Sequence, residues 1–188
     1  MRRLISLLAL ASLPFLNGCA VVAIGGAAAG GYLIGEDRRT ASIMSDDTTI
    51  EVRFNNRIGE KHTTAHINAT SFNRQVLLTG EAPTAEAKAD IEKMARAVEN
   101  VRGVYNEIRV APNTSLGSRA NDSLITSKVK ARFVDGRKFN AVHVKVVTEA
   151  ATVYLMGIAK RQEADDATEI ARTTGGVQRV VRIFELQD

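Results

Sequence analysis

The sequence predicts an α+β fold built from two tandem modules, each an α-β-β-α-β unit whose three-stranded mixed sheet is covered by two helices. Three observations carry this prediction. The chain repeats itself, with Asp47-Thr48-Thr49-Ile50 answered by Asp122-Ser123-Leu124-Ile125, and Arg53, Arg57 and Ile58 answered by Lys128, Arg132 and Phe133 at an offset of 75. Within each copy the apolar period switches between a helical and a strand repeat. A glycine then recurs at the same place in each copy, in Val76-Leu77-Leu78-Thr79-Gly80 and Val153-Tyr154-Leu155-Met156-Gly157.

The elements follow in order. Asp47 and Asp122 read as N-cap residues opening a helix. Ile50, Phe54 and Ile58 form one apolar stripe, and Ile125, Val129 and Phe133 repeat it. Alternation then marks a strand, with Ile67 and Ala69 on one face in the first copy and Val144 and Val146 in the second. A turn leads into a second strand, Gln75 to Thr79 or Thr152 to Met156. Gly80 and Gly157 are read as closing it, where the backbone bends or approaches the sheet. Pro83-Thr84 opens a second helix that runs to Asn100, and its counterpart runs from Arg161 to about Thr174. The last strands span Val104 to Val110 and Val180 to Leu186. The modules occupy residues 46–111 and 119–188, with 112–118 as linker. At about 65 residues each they lie near the lower size for independent folding, so they are expected to pack on each other.

The first residues read as an address. Met1-Arg2-Arg3 precedes a short apolar stretch, Leu4 to Leu16, as in a secretory signal of residues 1–18. It ends in Leu16-Asn17-Gly18-Cys19, which resembles the lipobox of bacterial lipoproteins. That resemblance implies cleavage before Cys19 and acylation of its thiol and new amino group. Ala20 in the following position implies sorting to the outer membrane. One acyl chain binds a bilayer only marginally, whereas several on one residue make a durable anchor. Residues 19–45 form a tether: Ala20 to Gly35 is almost entirely small and apolar, under the length of a full span, and Glu36 to Ser45 reads as flexible.

Composition narrows the function. The single cysteine, Cys19, excludes an internal disulfide and a cysteine-rich metal site. The formal charge of +4 falls by two once Arg2 and Arg3 leave with the leader, too weak a balance for a nucleic-acid binder. There is no nucleophile elbow, P-loop or dinucleotide-binding glycine pattern, so no catalytic set and no cofactor are expected. His66 and His143 occupy equivalent strand positions and read as outward-facing or inter-domain residues; neither has zinc spacing around it, and no metal is expected.

The two V-x-L-x-G strand ends, the helix after each, and the Val101/Val104 and Val177/Val180 steps into the last strands resemble the BON domain of bacterial envelope proteins. The resemblance covers the mature chain as two BON domains behind a lipobox. It implies a lipoprotein at the periplasmic face of the outer membrane, supporting envelope integrity and acting at the division site. It also implies binding of anionic phospholipid of the phosphatidylglycerol kind through the first helix of the second module, here Leu124, Ile125, Lys128, Val129, Arg132 and Phe133. Where such proteins tend to carry a Trp early in that helix, this chain has Leu124. The residues agree in kind: from Arg119 to Lys138 six basic side chains face only Asp122 and Asp135, whereas the first helix of the first module is balanced. A second reading is a protein–protein scaffold engaging the outer-membrane protein assembly machinery without reading lipid.

Overall fold

The computed structural model describes residues 37–187, and the chain from Arg38 onward forms one compact unit. The first module runs α1 (Ala41–Lys61), β1 (His66–Phe72), β2 (Gln75–Ala82), α2 (Ala85–Arg96), β3 (Gly103–Asn106) and β4 (Arg109–Val110). The second runs α3 (Leu116–Gly136), a 3-10 turn (Ala141–His143), β5 (Val144–Glu149), β6 (Thr152–Lys160), α4 (Arg161–Arg172) and β7 (Arg179–Gln187). In each, the first two strands form an antiparallel hairpin and the last runs parallel to the middle one. The fold is thus α+β, two tandem modules with mixed sheets ordered β1-β2-β3, with β4 also beside β2, and β5-β6-β7. The leader, Cys19 and the tether as far as Glu36 lie outside the described residues.

The expected N-caps are corrected. Thr40 caps α1 by accepting from the Ile43 N–H at 3.3 Å, and Ser115 caps α3 by accepting from the Ser118 N–H at 3.2 Å. Ala41 to Ser45, read as flexible tether, is therefore helix, and the linker ends at Ser115 rather than residue 118. Asp47 and Asp122 sit inside their helices, 4 % and 5 % exposed, and serve the neighbouring hairpin. Asp47 accepts from the backbone N–H of Asn73 at 2.9 Å and of Arg74 at 2.7 Å, and from the Ser71 hydroxyl at 2.7 Å. Asp122 accepts from the N–H of Ala150 at 2.9 Å and of Ala151 at 2.8 Å. These pairs are the two-residue turns of the hairpins, and all four residues have positive φ, from 47° to 63°. Such turns ordinarily take Asn-Gly or Gly-Gly, because a Cβ in the left-handed region costs about 1–2 kcal/mol. The carboxylate compensates by bonding both turn amides.

Gly80 and Gly157 meet a close backbone approach as expected, but they do not close their strands, since β2 continues to Ala82 and β6 to Lys160. A Cβ on Gly80 would strike the carbonyl oxygen of His66, and one on Gly157 that of His143. These are close backbone approaches, from the first residue of β1 and from the 3-10 turn just before β5, with Gly80 also at φ 110°. The expected single strand Val104 to Val110 is broken: the Ile108 amide turns to the Asn106 side chain at 3.2 Å, and Ile108 drops into the core.

Each module encloses its own core between its helices and one face of its sheet. Ile50, Phe54 and Ile58 meet Val76, Leu78 and Ile91 in the first, and Ile125, Val129 and Phe133 meet Val153, Leu155 and Ile170 in the second. The opposite faces meet in a third cluster, Phe72 and Leu77 from one sheet against Tyr154, Met156, Ile158 and Ile183 from the other. The order of layers is helices, sheet, sheet, helices. Each large side chain buried in that seam contributes about 1.5–3 kcal/mol, so the two modules stabilise one another.

Three substitutions test this fold. Asp122→Ala should lower stability by about 3 kcal/mol in urea unfolding, because it strands two turn amides, with Asp122→Asn losing less. Gly157→Ala should be destabilising by a similar amount, about 2–3 kcal/mol from the backbone collision. Gly59→Ala, with open space around it, should gain up to about 1 kcal/mol in helix propensity.

Candidate functional site

Because the sheets face each other, the helices form the outer surfaces, and the two first helices can be compared position by position. In α3, Leu116, Ala120, Leu124, Ala131 and Val134 are all exposed. At 3.6 residues per turn they share one side, spanning about 27 Å of helix. Leu116, Leu124 and Val134 are 79 %, 59 % and 63 % exposed. The matching residues of α1 are Ala41, Ser45, Thr49, Asn56 and Gly59, with no large apolar side chain among them. α3 is therefore apolar on two faces: one fills the core, and the other faces away from the protein.

The charges differ in the same sense. Lys128 and Lys130 flank the outer stripe on either side, exposed and without an ion pair among the described residues. In α1, Arg53 pairs with Glu99 at 2.6 Å, Lys61 with Asp90 at 2.8 Å, and Glu51 with Lys145 at 3.0 Å.

The structure divides the six residues expected to meet lipid. Leu124 and Lys128 lie on the outer side. Ile125, Val129 and Phe133 are buried at 1 % exposure or less, and hold the helix to its sheet instead of facing outward. Arg132 is committed elsewhere: its guanidinium donates to the Ile170 carbonyl at 2.8 Å and to the hydroxyls of Thr174 at 2.7 Å and Thr173 at 3.1 Å. It thereby closes the C-terminal end of α4, where a cation is favoured by the helix dipole. Leu116, Ala131, Val134 and Lys130 belong to the outer surface and were missed, because a stripe search stops at the first apolar face it finds. No described helix is long and apolar enough to cross a membrane.

A second feature lies where the modules meet. A cleft of about 470 Å³ opens beside α3, lined among others by His66, Asn68, Arg119, Thr148 and Glu149. His66, at the start of β1, is turned into this inter-module region, while His143 falls in the 3-10 turn rather than on a strand. Glu81 is fully buried, its Oε1 taking the Arg109 guanidinium at 2.5 Å and its Oε2 facing His66 Nδ1 at 3.1 Å. Burial acts to raise its pKa, but Arg109, Thr114 and His66 outweigh it and hold the carboxyl below its usual range. Glu149 goes the other way: burial pushes it up, assisted by the nearby Glu81 and Asp122 carboxylates, against a bond from Asn68 and the field of His66. Nothing in the spacing of these residues announced their convergence.

The BON domain matches residues 46–112 and again 121–187. The chain is 36 % identical over 178 residues to the outer membrane lipoprotein DolP of Haemophilus influenzae, covering 93 % of this chain and 91 % of that protein. It is 35 % identical over 151 residues to a 21 kDa hemolysin of Actinobacillus pleuropneumoniae, covering 79 % and 78 %. It is also similar to the osmotically-inducible protein Y of Escherichia coli, 30 % identical over 117 residues, covering 61 % and 58 %.

The separation of outer-face from structural charge is open to test. Arg132→Ala should cost about 1–2 kcal/mol in thermal or urea unfolding through loss of the α4 cap. Lys128→Ala should stay within about 0.5 kcal/mol, as for a solvated surface side chain.

Proposed function

The chain belongs to the BON-domain family, and from that premise we propose that it is an outer-membrane lipoprotein. In this reading Cys19 carries the acyl anchor, and the modules, on the periplasmic side, bind anionic phospholipid through the outer face of α3. The observation that carries the proposal is the asymmetry between the two first helices. The fold repeats, yet only the second copy has an apolar outer stripe between two unpaired lysines. An amphipathic surface of this kind sinks its apolar side chains into the headgroup boundary while its cations meet lipid phosphates. Each such lysine contributes on the order of 1 kcal/mol near an anionic surface. Similarity along nearly the whole chain to a relative named as an outer membrane lipoprotein supports the localisation, as does the lipobox-like Leu16 to Cys19.

Docking through Leu124, Lys128 and Lys130, with Leu116 and Val134 extending the contact, keeps the core intact, since Ile125, Val129 and Phe133 never leave it. The acyl tether confines the protein to the membrane, so a contact that is weak in solution becomes effective. Support of envelope integrity and action at the division site follow as the physiological role, with anionic lipid as the localising signal. The outer-membrane protein assembly machinery is the alternative occupant of the same apolar stripe.

Co-sedimentation of residues 37–188 with phosphatidylglycerol-containing and neutral vesicles tests the proposal. Binding should require the anionic lipid and weaken with salt as screening shortens to a few ångströms. Leu124→Asp and the Lys128→Glu/Lys130→Glu pair should each reduce it at least about tenfold, and Leu124→Trp should strengthen it, as an indole sits well at the interface. Absence of binding to both vesicle types would reject lipid docking and leave the stripe to a protein partner.

A further inference from the structure

We propose that His66, Glu81 and Glu149 hold a zinc ion between the two modules. The ligands come from three strands: His66 and Glu81 are directly paired across β1 and β2, and Glu149 ends β5 of the other module. One nitrogen or oxygen from each lies within 4.8 Å of the other two. Zinc with ligand arms of 2.0–2.1 Å places neighbouring donor atoms about 3.3 Å apart. The His66 Nδ1 to Glu81 Oε2 separation of 3.1 Å already matches, and a small rotation of Glu149 brings in the third ligand. The adjoining cleft of about 470 Å³ gives water access to a fourth position.

The repeat supplies an independent argument. Strand register aligns Ile67 with Val144 and Gly80 with Gly157, so Glu81 corresponds to Ile158 and Glu149 to Phe72. Both Ile158 and Phe72 are buried in the apolar seam. The fold thus accepts an aliphatic or aromatic residue at each register position, and each module instead buries one carboxylate there, the two meeting at a single point. Burying a carboxylate where an apolar side chain fits is costly for stability and calls for a compensating charge; Glu81 has one in Arg109, whereas Glu149 has no ion pair among the described residues.

The bonding around each ligand suits a cation. Glu149 is 6 % exposed, and its only hydrogen bond among the described residues comes from Asn68 at 3.0 Å, to Oε2. Its Oε1 is left for a ligand. Glu81 is held in place by Arg109 on Oε1 and by the Thr114 N–H and hydroxyl on Oε2 at 3.1 and 3.2 Å. Such outer bonds orient a ligating carboxylate. A nitrogen with two carboxylates and an open position matches zinc rather than magnesium, which demands six oxygens. An ion so placed ties β1 and β2 of one module to β5 of the other.

The test uses the full chain in detergent with Cys19→Ser, which removes the one thiol. After chelator treatment it is titrated with zinc chloride and, separately, magnesium chloride, and thermal unfolding is followed with and without metal. The expected result is one zinc per chain, a higher Tm with zinc, and no response to magnesium. Glu81→Ile and Glu149→Phe place at each position the residue its counterpart already uses. Both should fold, weaken zinc binding at least about tenfold, and lose the Tm rise. His143→Gln should bind as before. Failure of the starting protein to take up one zinc, or uptake unchanged in both Glu variants, overturns the site.

Discussion

Everything in this structure depends on a buried aspartate reaching from a helix into a hairpin turn. Asp47 and Asp122 each bond two consecutive turn amides whose residues have positive φ and lack glycine's freedom. Fixing the turn fixes the hairpin register, and a slip of one residue would move every side chain to the other face of the sheet. The same carboxylate ties the first helix to the hairpin across its core. In the first module the Arg39 guanidinium joins it, bonding Asp47 at 2.9 Å and lying 3.9 Å over the Phe72 ring.

Register matters doubly because both faces of each sheet are used. One face takes the module's own helices and the other takes the opposing sheet, so β2 and β6 are buried almost throughout. Gly80 and Gly157 stand mid-strand for a different reason, the close approach of the neighbouring backbone carbonyls of His66 and His143. The face-to-face arrangement leaves the helices outside. Polar contacts frame the apolar seam, with Lys145 to Glu51, Asn73 to Glu185 and Asn68 to Glu149 each crossing from one module to the other.

The two copies differ in positions that the fold does not need. On the outer face of the first helix, α1 exposes Val52 among polar and small residues whereas α3 carries an apolar stripe between lysines. Within the seam, Glu81 and Glu149 stand where the other copy has Ile158 and Phe72. The apolar outer stripe and the polar point inside the seam therefore both arise where the two copies differ, while the places where they agree, such as the two aspartates and the two glycines, hold the scaffold.

The order of elements, the tandem organisation, the core stripes and the basic first helix of the second module were legible in the residues, because helix and strand periods and a repeat are local properties of a chain. Helix starts were misplaced for a local reason too: an Asp before an apolar run has the signature of a cap, and only the fold shows the carboxylate spent on a turn far along the chain. Of the six residues expected on the outer surface of α3 only Leu124 and Lys128 lie outward, and the commitment of Arg132 to the end of α4 depends on which helices are neighbours. The meeting of His66, Glu81 and Glu149 was not legible at all. Their spacing carries no pattern, and their proximity comes from which sheet faces pack together. The sequence by itself determined the two modules, their core stripes and their order of elements; tertiary structure decided which of two apolar helix faces turns inward and which distant polar groups meet, because burial is a property of the packed whole.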